Sequence, residues 1–242
     1  MPPTQLLPRR SLQLPHNIRS PARPQKRTFL SSILSSSPPP PQTLTASRRL
    51  PYNHNALYDI IANIDSYSAF LPYCSSSRVT AWTSKPDPES GRRWPTRADL
   101  TAGWGGLEQT YTSRVNCVPG SIVEALSGEG ARSGIAPDIL ARYGLTDDEN
   151  SPLSQASRRT ERAEEGVFKT LVTRWSLAPA TSAQDDGAIL QAQNQVEWSD
   201  VHLSIRFQFA NPLYGAVSSA VADKIAPIMI EAFVERAKKV LG

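Results

Sequence analysis

Cysteine is almost missing from this 242-residue chain: Cys74 and Cys117 are the only two. That pair makes neither a disulfide scaffold nor, alone, a four-ligand zinc site. The three histidines, His16, His54 and His202, are far apart, so no HExxH helix or paired-histidine metal spacing exists. Also missing are a GxSxG nucleophile elbow, a GxxxxGK[ST] phosphate loop and a GxGxxG dinucleotide fingerprint. Gly103-Trp-Gly-Gly106 is glycine-rich, but it lacks the lysine and following helix that phosphate cradling needs. No apolar run reaches the roughly eighteen residues of a membrane-spanning helix.

Acid is absent from the beginning of the chain. The first acidic residue is Asp59, and residues 1–58 hold eight basic groups, a net of +8. The remainder has 18 basic and 22 acidic residues, a net of −4. The overall +4 therefore belongs to the leader, and the folded part is mildly acidic. A broad basic face for nucleic acid is disfavoured, because phosphate neutralisation needs clustered Lys and Arg on the folded surface.

Residues 1–42 are rich in Arg, Ser and Pro and close on the run Pro38–Pro41. Proline removes backbone donors, so this stretch builds no core element. An Arg-rich, Ser-rich, acid-free N-terminus reads as a mitochondrial transit peptide, with a plain disordered basic tail as the alternative. Arg27-Thr-Phe29-Leu-Ser-Ser32 resembles the Arg-x-Phe-x-x-Ser pattern at which matrix peptidases trim precursors. The low cysteine count agrees with a compartment that does not favour structural disulfides.

The length fits one generous domain with its own core, expected over 43–242. A strand is predicted at Thr43–Leu50, then a helix over 54–63 capped by Asn53, with Leu57, Ile60, Ile61 and Ile64 at helical spacing. A second short helix is expected at Ser66–Leu71, between Asp65 and Pro72. Strands follow at Arg78–Thr83, Pro95–Ala102, Glu108–Val118 and Ser121–Ser127, the last two joined by a Pro119-Gly120 turn. Residues 130–166 carry Gly130, Gly134, Gly144, Pro137 and Pro152 and read as a loop insertion, with one short helix from Pro137.

Strand character resumes at Phe168–Ala178, with Leu171, Thr173, Trp175 and Leu177 on one face, before a linker at Pro179–Gly187. Val201 to Phe209 alternates without exception, apolar at odd and polar at even positions, and the phase flips near Ser199-Asp200. From Leu213 onward Val217, Val221, Ile225, Ile228, Met229, Ala232, Phe233 and Val240 mark one face of a long helix that Pro227 is expected to kink. The order is α+β: a curved antiparallel sheet wrapped around a long C-terminal helix.

That order resembles the START-like helix-grip fold, and particular blocks narrow it. Arg49-Leu-Pro-Tyr52, Leu57-Tyr-Asp-Ile-Ile-Ala-Asn-Ile-Asp-Ser-Tyr67, Phe70-Leu-Pro-Tyr-Cys74, Leu107-Glu108-Gln-Thr-Tyr111-Thr-Ser113-Arg-Val115, Trp175-Ser-Leu-Ala-Pro179 and Phe207-Gln-Phe-Ala-Asn-Pro-Leu-Tyr214 are similar to the mitochondrial coenzyme Q-binding family. Met229, Ala232-Phe233 and Arg236-Ala237 extend the resemblance to the last helix, so it covers roughly 43–242. It implies a non-catalytic carrier of ubiquinone, peripheral to the inner membrane on its matrix side, that supports respiratory electron transfer and ubiquinone synthesis. No catalytic cofactor is implied; ubiquinone is the bound ligand. Two departures stand out, a longer loop at 130–166 and Trp104 where an aliphatic residue or Phe is usual.

The physical problem is the isoprenoid tail, since each buried CH2 contributes about 0.8 kcal/mol on leaving water. A carrier needs an apolar cavity with a few polar groups for the ring. Leu203, Ile205, Phe207 and Phe209 are expected to line one wall, Trp175 and Leu177 another, and Met229 with Phe233 the helix side; the family blocks add Trp104, Leu107 and Tyr111. Taken singly, each of these is equally an ordinary core residue. Phe70 and Leu71 are candidates for a lid that dips into the bilayer, or for residues packed on the first helix. In the lid reading, a lysine at Leu71 leaves the fold intact. Glu108 is a candidate polar contact, with a solvated strand end as its bland counterpart. Arg236, Lys238 and Lys239 suit a helix C-terminus better than a lipid phosphate. Two other functions stay open: a docking partner of a respiratory or biosynthetic complex, and a cyclase-like enzyme on the same fold.

Overall fold

A computed structural model of the chain describes residues 40–104, 107–145, 168–180, 197–210 and 212–242, with the backbone alone at Trp104, Leu107 and 212–223. Nearly all of the expected leader, most of the linker after Pro179 and residues 146–166 of the expected insertion lie outside the described residues.

The first strand, β1, spans Gln42–Leu50 and stops at Pro51, which has no amide proton to offer the ladder. Helix α1 follows at His54–Ala62. Asn53 caps it as expected: its side-chain oxygen accepts from the Asn55 and Ala56 amides at 2.7 and 3.4 Å. Asn53→Ala is expected to cost about 1 kcal/mol. It should appear as a lower denaturation midpoint with an unchanged slope.

The second short helix, predicted at Ser66–Leu71, is present two residues earlier than expected. It is a 3-10 turn over Ile64–Ala69. The Ser66 amide bonds back to the Asn63 carbonyl at 3.1 Å, and the Asp65 carboxylate accepts from the Val79 amide at 2.6 Å instead of capping this turn. Tyr73 then takes a positive φ of 65°, its carbonyl held by the Gly103 amide at 2.9 Å, and swings the chain into β2.

β2 runs Cys74–Trp82, β3 Pro95–Trp104, β4 Leu107–Val118 and β5 Ile122–Ser127. β2 starts four residues before the expected Arg78, because pairing to β3 carries the polar Ser75-Ser76-Ser77 run. Between β4 and β5, Gly120 has φ +71° and the Ser121 amide bonds to the Val118 carbonyl at 3.0 Å. Pro followed by a left-handed Gly is the type II arrangement. A β-carbon on Gly120 would also fall 2.6 Å from the Asn55 side chain.

Helix α2, Pro137–Arg142, opens at the predicted proline. β6 spans Phe168–Pro179, and β7 spans Ser199–Phe209, beginning where the alternation changes phase. Helix α3, Pro212–Leu241, runs through Pro227.

The strands form one antiparallel sheet of order β1-β7-β6-β5-β4-β3-β2. Odd residues of β4, β5, β6 and β7 face one way, and α1 packs there against β5 and β6 while α3 packs against β1 and β7. The main core lies between that inner face and the two helices. Two residues expected on the buried side of α3, Ile228 and Val240, are 37% and 49% exposed, because only a narrow stripe through Ala226, Ile230, Phe233 and Ala237 meets the sheet.

The segment after β5 is more than a loop. It crosses the outer face of the sheet, where Ala131 packs on Leu126 and Val172, and Ile135 and Leu140 pack on Val118. At its centre the Glu124 carboxylate is fully buried and receives Arg174 Nε at 3.0 Å, the Gly134 amide at 3.1 Å, Asn116 Nδ2 at 3.3 Å and the Ser133 hydroxyl. A β-carbon on Gly134 would fall 2.2 Å from Arg174 Nη2, so glycine permits this close approach. Burial works against the Glu124 charge, but the bonds from Ser133, Arg174 and Gly134 win and hold its pKa below the usual range.

Candidate functional site

The inner face is built by register. Ala46, Leu203, Trp175, Val123 and Cys117 stand side by side across β1, β7, β6, β5 and β4. The adjoining row holds Leu44, Ile205, Thr173, Ala125 and Val115. Pairing brings together most of the side chains expected to line a cavity: Trp175, Leu177, Leu203, Ile205, Phe207, Phe209 and Phe233 are all buried in one cluster, with Tyr111 and Met229 half-buried against it. Trp175 meets Phe233 with ring centroids 5.2 Å apart, which ties β6 to α3. Trp104 and Leu107 end β3 and open β4; their side chains lie outside what is described.

Sequence reasoning left Phe168 out of the site. It stacks on Phe209 at 5.1 Å and meets Phe207 at 6.4 Å and Tyr111 at 6.1 Å, so it joins the aromatic end of the inner face. The signal was its position as the first residue of β6, opposite Phe209.

The polar groups of this interior are few. Trp94 Nε1 and Trp175 Nε1 are buried donors without a hydrogen-bond partner among the described residues, and the buried Tyr58 hydroxyl lies against the Cys117 thiol. Tyr58 and Trp94 meet edge to face at 5.2 Å. Burial pushes the Tyr58 and Tyr111 hydroxyls well above their usual range, so both stay protonated. Ser113 and Ser127 share a buried hydroxyl contact of 2.7 Å, and Ser127 also donates to the Thr112 carbonyl at 2.9 Å. Tyr58 and Trp94 were also missed: Tyr58 sits within an apolar helix face, and Trp94 precedes its strand. The Cys117 thiol is buried and pushed up to about 12, mainly by desolvation, which removes it as a nucleophile at neutral pH. The described residues hold no group of three His, Cys, Asp or Glu able to bind a metal.

Three expected site residues are placed differently. Glu108 is exposed, lies on the even-numbered, outer side of β4, and accepts from the Ser75 hydroxyl. Strand parity therefore turns it away from the interior. Leu71 is only 7% exposed, packed in the main core, and Phe70 is half-buried edge to face on Tyr67 at 5.7 Å. This corrects the lid reading, since a lysine at Leu71 would place a charge in the core.

Residues 50–234 match the model of the family described as polyketide cyclase/dehydrase and lipid transport. The chain belongs to this family. Within it, the chain is similar to the mitochondrial coenzyme Q-binding protein of Schizosaccharomyces pombe, 29% identical over 80% of this chain and 85% of that one. It is also similar to the ribosome association toxin of Pseudomonas aeruginosa, 26% identical over 81% of this chain and 95% of that one. Among solved structures, a START superfamily protein from Mycobacterium smegmatis aligns over 82% of this chain and 98% of its own with a TM-score of 0.51. At 10% identity that likeness establishes the START-like fold alone. No helix among the described residues is long and apolar enough to cross a membrane.

Proposed function

We propose that this family member binds ubiquinone between the inner face of its sheet and helices α1 and α3, and carries it without chemical change. The observation that carries the reading is a pairing of complementary groups. The interior is apolar, and Trp94 and Trp175 hold buried donors with no acceptor among the described residues. A quinone ring offers carbonyl acceptors and no donor, and its isoprenoid tail needs an apolar lining. An unsatisfied buried donor costs about 1–3 kcal/mol, so the empty protein bears a cost that the ring carbonyls would relieve.

In this reading the cavity is lined by Trp175, Leu177, Leu203, Ile205, Phe207, Phe209, Met229 and Phe233, with Tyr111 toward the aromatic end; Trp104 and Leu107 belong to the proposed lining by the resemblance of their block. The protein is, in this reading, non-catalytic and needs no catalytic cofactor. Residues 1–42 address it to mitochondria, where 43–242 acts as a peripheral protein on the matrix side of the inner membrane. Its cargo serves respiratory and ubiquinone-biosynthetic complexes. Ribosome association is less well supported, because the part beyond residue 58 has a net charge of −4.

The test is Trp175→Phe, which keeps an aromatic ring near Phe233 but removes the unpartnered N–H together with part of the indole. The expected result is about tenfold weaker binding of a short-tailed ubiquinone, with thermal stability somewhat lowered by the lost packing. Equal affinity in the two proteins, with a clear titration in each, would remove Trp175 from the ring site. Absence of any binding in the parent would sink the carrier reading.

A further inference from the structure

Beside this interior, and sharing Trp94 with it, a groove of about 430 Å³ lies between α1, the end of β2, the start of β3 and the last turns of α3. Its lining carries three cations, Arg92, Arg93 and Arg236, against one acid, Asp59. Asp59 is already neutralised by an ion pair with Arg92, whose guanidinium also lies 4.7 Å over the Trp94 ring. Arg93 is exposed and has no ion pair among the described residues. Arg236 lies 5.7 Å over the Phe70 ring, and its buried Nε has no hydrogen-bond partner among the described residues. Two guanidinium groups therefore open onto one groove without a counter-charge. Trp82 and Val240, which also line it, are each 49% exposed.

We propose that this groove docks the protein on an anionic bilayer, with lipid phosphate between Arg93 and Arg236 and with Trp82 and Val240 sunk to the acyl boundary. Guanidinium forks match phosphate oxygens two at a time. A tryptophan and an aliphatic group exposed beside them suit the headgroup boundary, where an indole keeps its N–H wet and its ring in hydrocarbon. A soluble phosphate would leave both apolar groups in water, and an acidic peptide would not account for a rim of this composition. The proposal rests on the carrier reading, since a carrier must meet the membrane that holds its cargo. It moves the membrane contact from Leu71 to the groove that Arg236 lines.

The basic leader also attracts anionic vesicles, so the test must report on the groove itself. The full chain is mixed with vesicles of brominated phosphatidylcholine, with and without phosphatidylglycerol, and the fluorescence due to Trp82 is taken as the difference from Trp82→Phe. The expected result is quenching of that signal by the anionic vesicles alone, with Arg93→Glu requiring about tenfold more lipid. Ubiquinone bound per protein should be the same in Arg93→Glu and the parent, which separates failure of this docking site from failure of the carrier reading. A Trp82 signal left unquenched while the chain floats with the vesicles, or an Arg93→Glu curve equal to the parent's, overturns the proposal.

Discussion

Arg174→Met is expected to destabilise the fold by about 3–5 kcal/mol, the cost of leaving a buried carboxylate without its cation. Glu124 is the reason. Its side chain is 0% exposed, and Arg174 is the cation that reaches it. A loss of this size is a large fraction of the 5–15 kcal/mol typical of a domain. Equilibrium unfolding in urea measures it, and a loss below about 1 kcal/mol would mean that water or another cation reaches the site.

The same pair sets a pH dependence whose sign follows from the direction of the shift. The Glu124 pKa is lowered in the folded chain. Its stabilising contribution is therefore complete above the usual glutamate value, near 4.3, and is lost as pH falls through the folded value. In Arg174→Met the buried charge has lost its partner, so protonation relieves the variant. Its deficit relative to the parent should shrink as the pH is lowered toward 4.

Ile205→Trp is expected to abolish most ubiquinone binding while the protein stays folded. Ile205 is 6% exposed, and its neighbours across the sheet are Leu44 on β1 and Thr173 on β6. An indole there takes the space into which a ligand must fit, at a packing cost of about 1–3 kcal/mol that an average domain survives. His202→Trp, three residues earlier on the exposed outer side of the same strand, is the matched control and should bind as the parent does. Loss of binding in both variants would point to general damage to β7 and away from a cavity beside Ile205.

The architecture was legible because several local signals agreed. The strict alternation of Val201–Phe209, the Asn53 cap and the Pro119-Gly120 turn each appear where expected, and with them the order of strands and helices. What escaped depends on partners distant in sequence. β2 begins at Cys74 because β3 is beside it, and no pattern in three consecutive serines announces that. The insertion expected at 130–166 held too few apolar residues for a core of its own, and in its described part Ile135 and Leu140 instead pack on the outer face, near the Glu124–Arg174 pair. Glu124 looked like any strand acid, and only a covering segment makes it buried. For Leu71 the sequence left open a lid or a residue packed on the first helix, and its burial after the 3-10 turn agrees with packing. For the interior, sequence patterning named the walls, but Trp94 and Trp175 became candidate ring contacts only when their N–H groups proved to have no acceptor among the described residues.

The central claim is that the interior holds ubiquinone, and direct quantification tests it. The chain is produced in a quinone-making bacterium, purified without detergent and extracted with organic solvent, and quinone is measured by mass spectrometry against protein. Near-stoichiometric ubiquinone in the parent and in His202→Trp, with little in Ile205→Trp, is the result the account predicts. A folded parent carrying no quinone, or equal amounts in all three proteins, would contradict it.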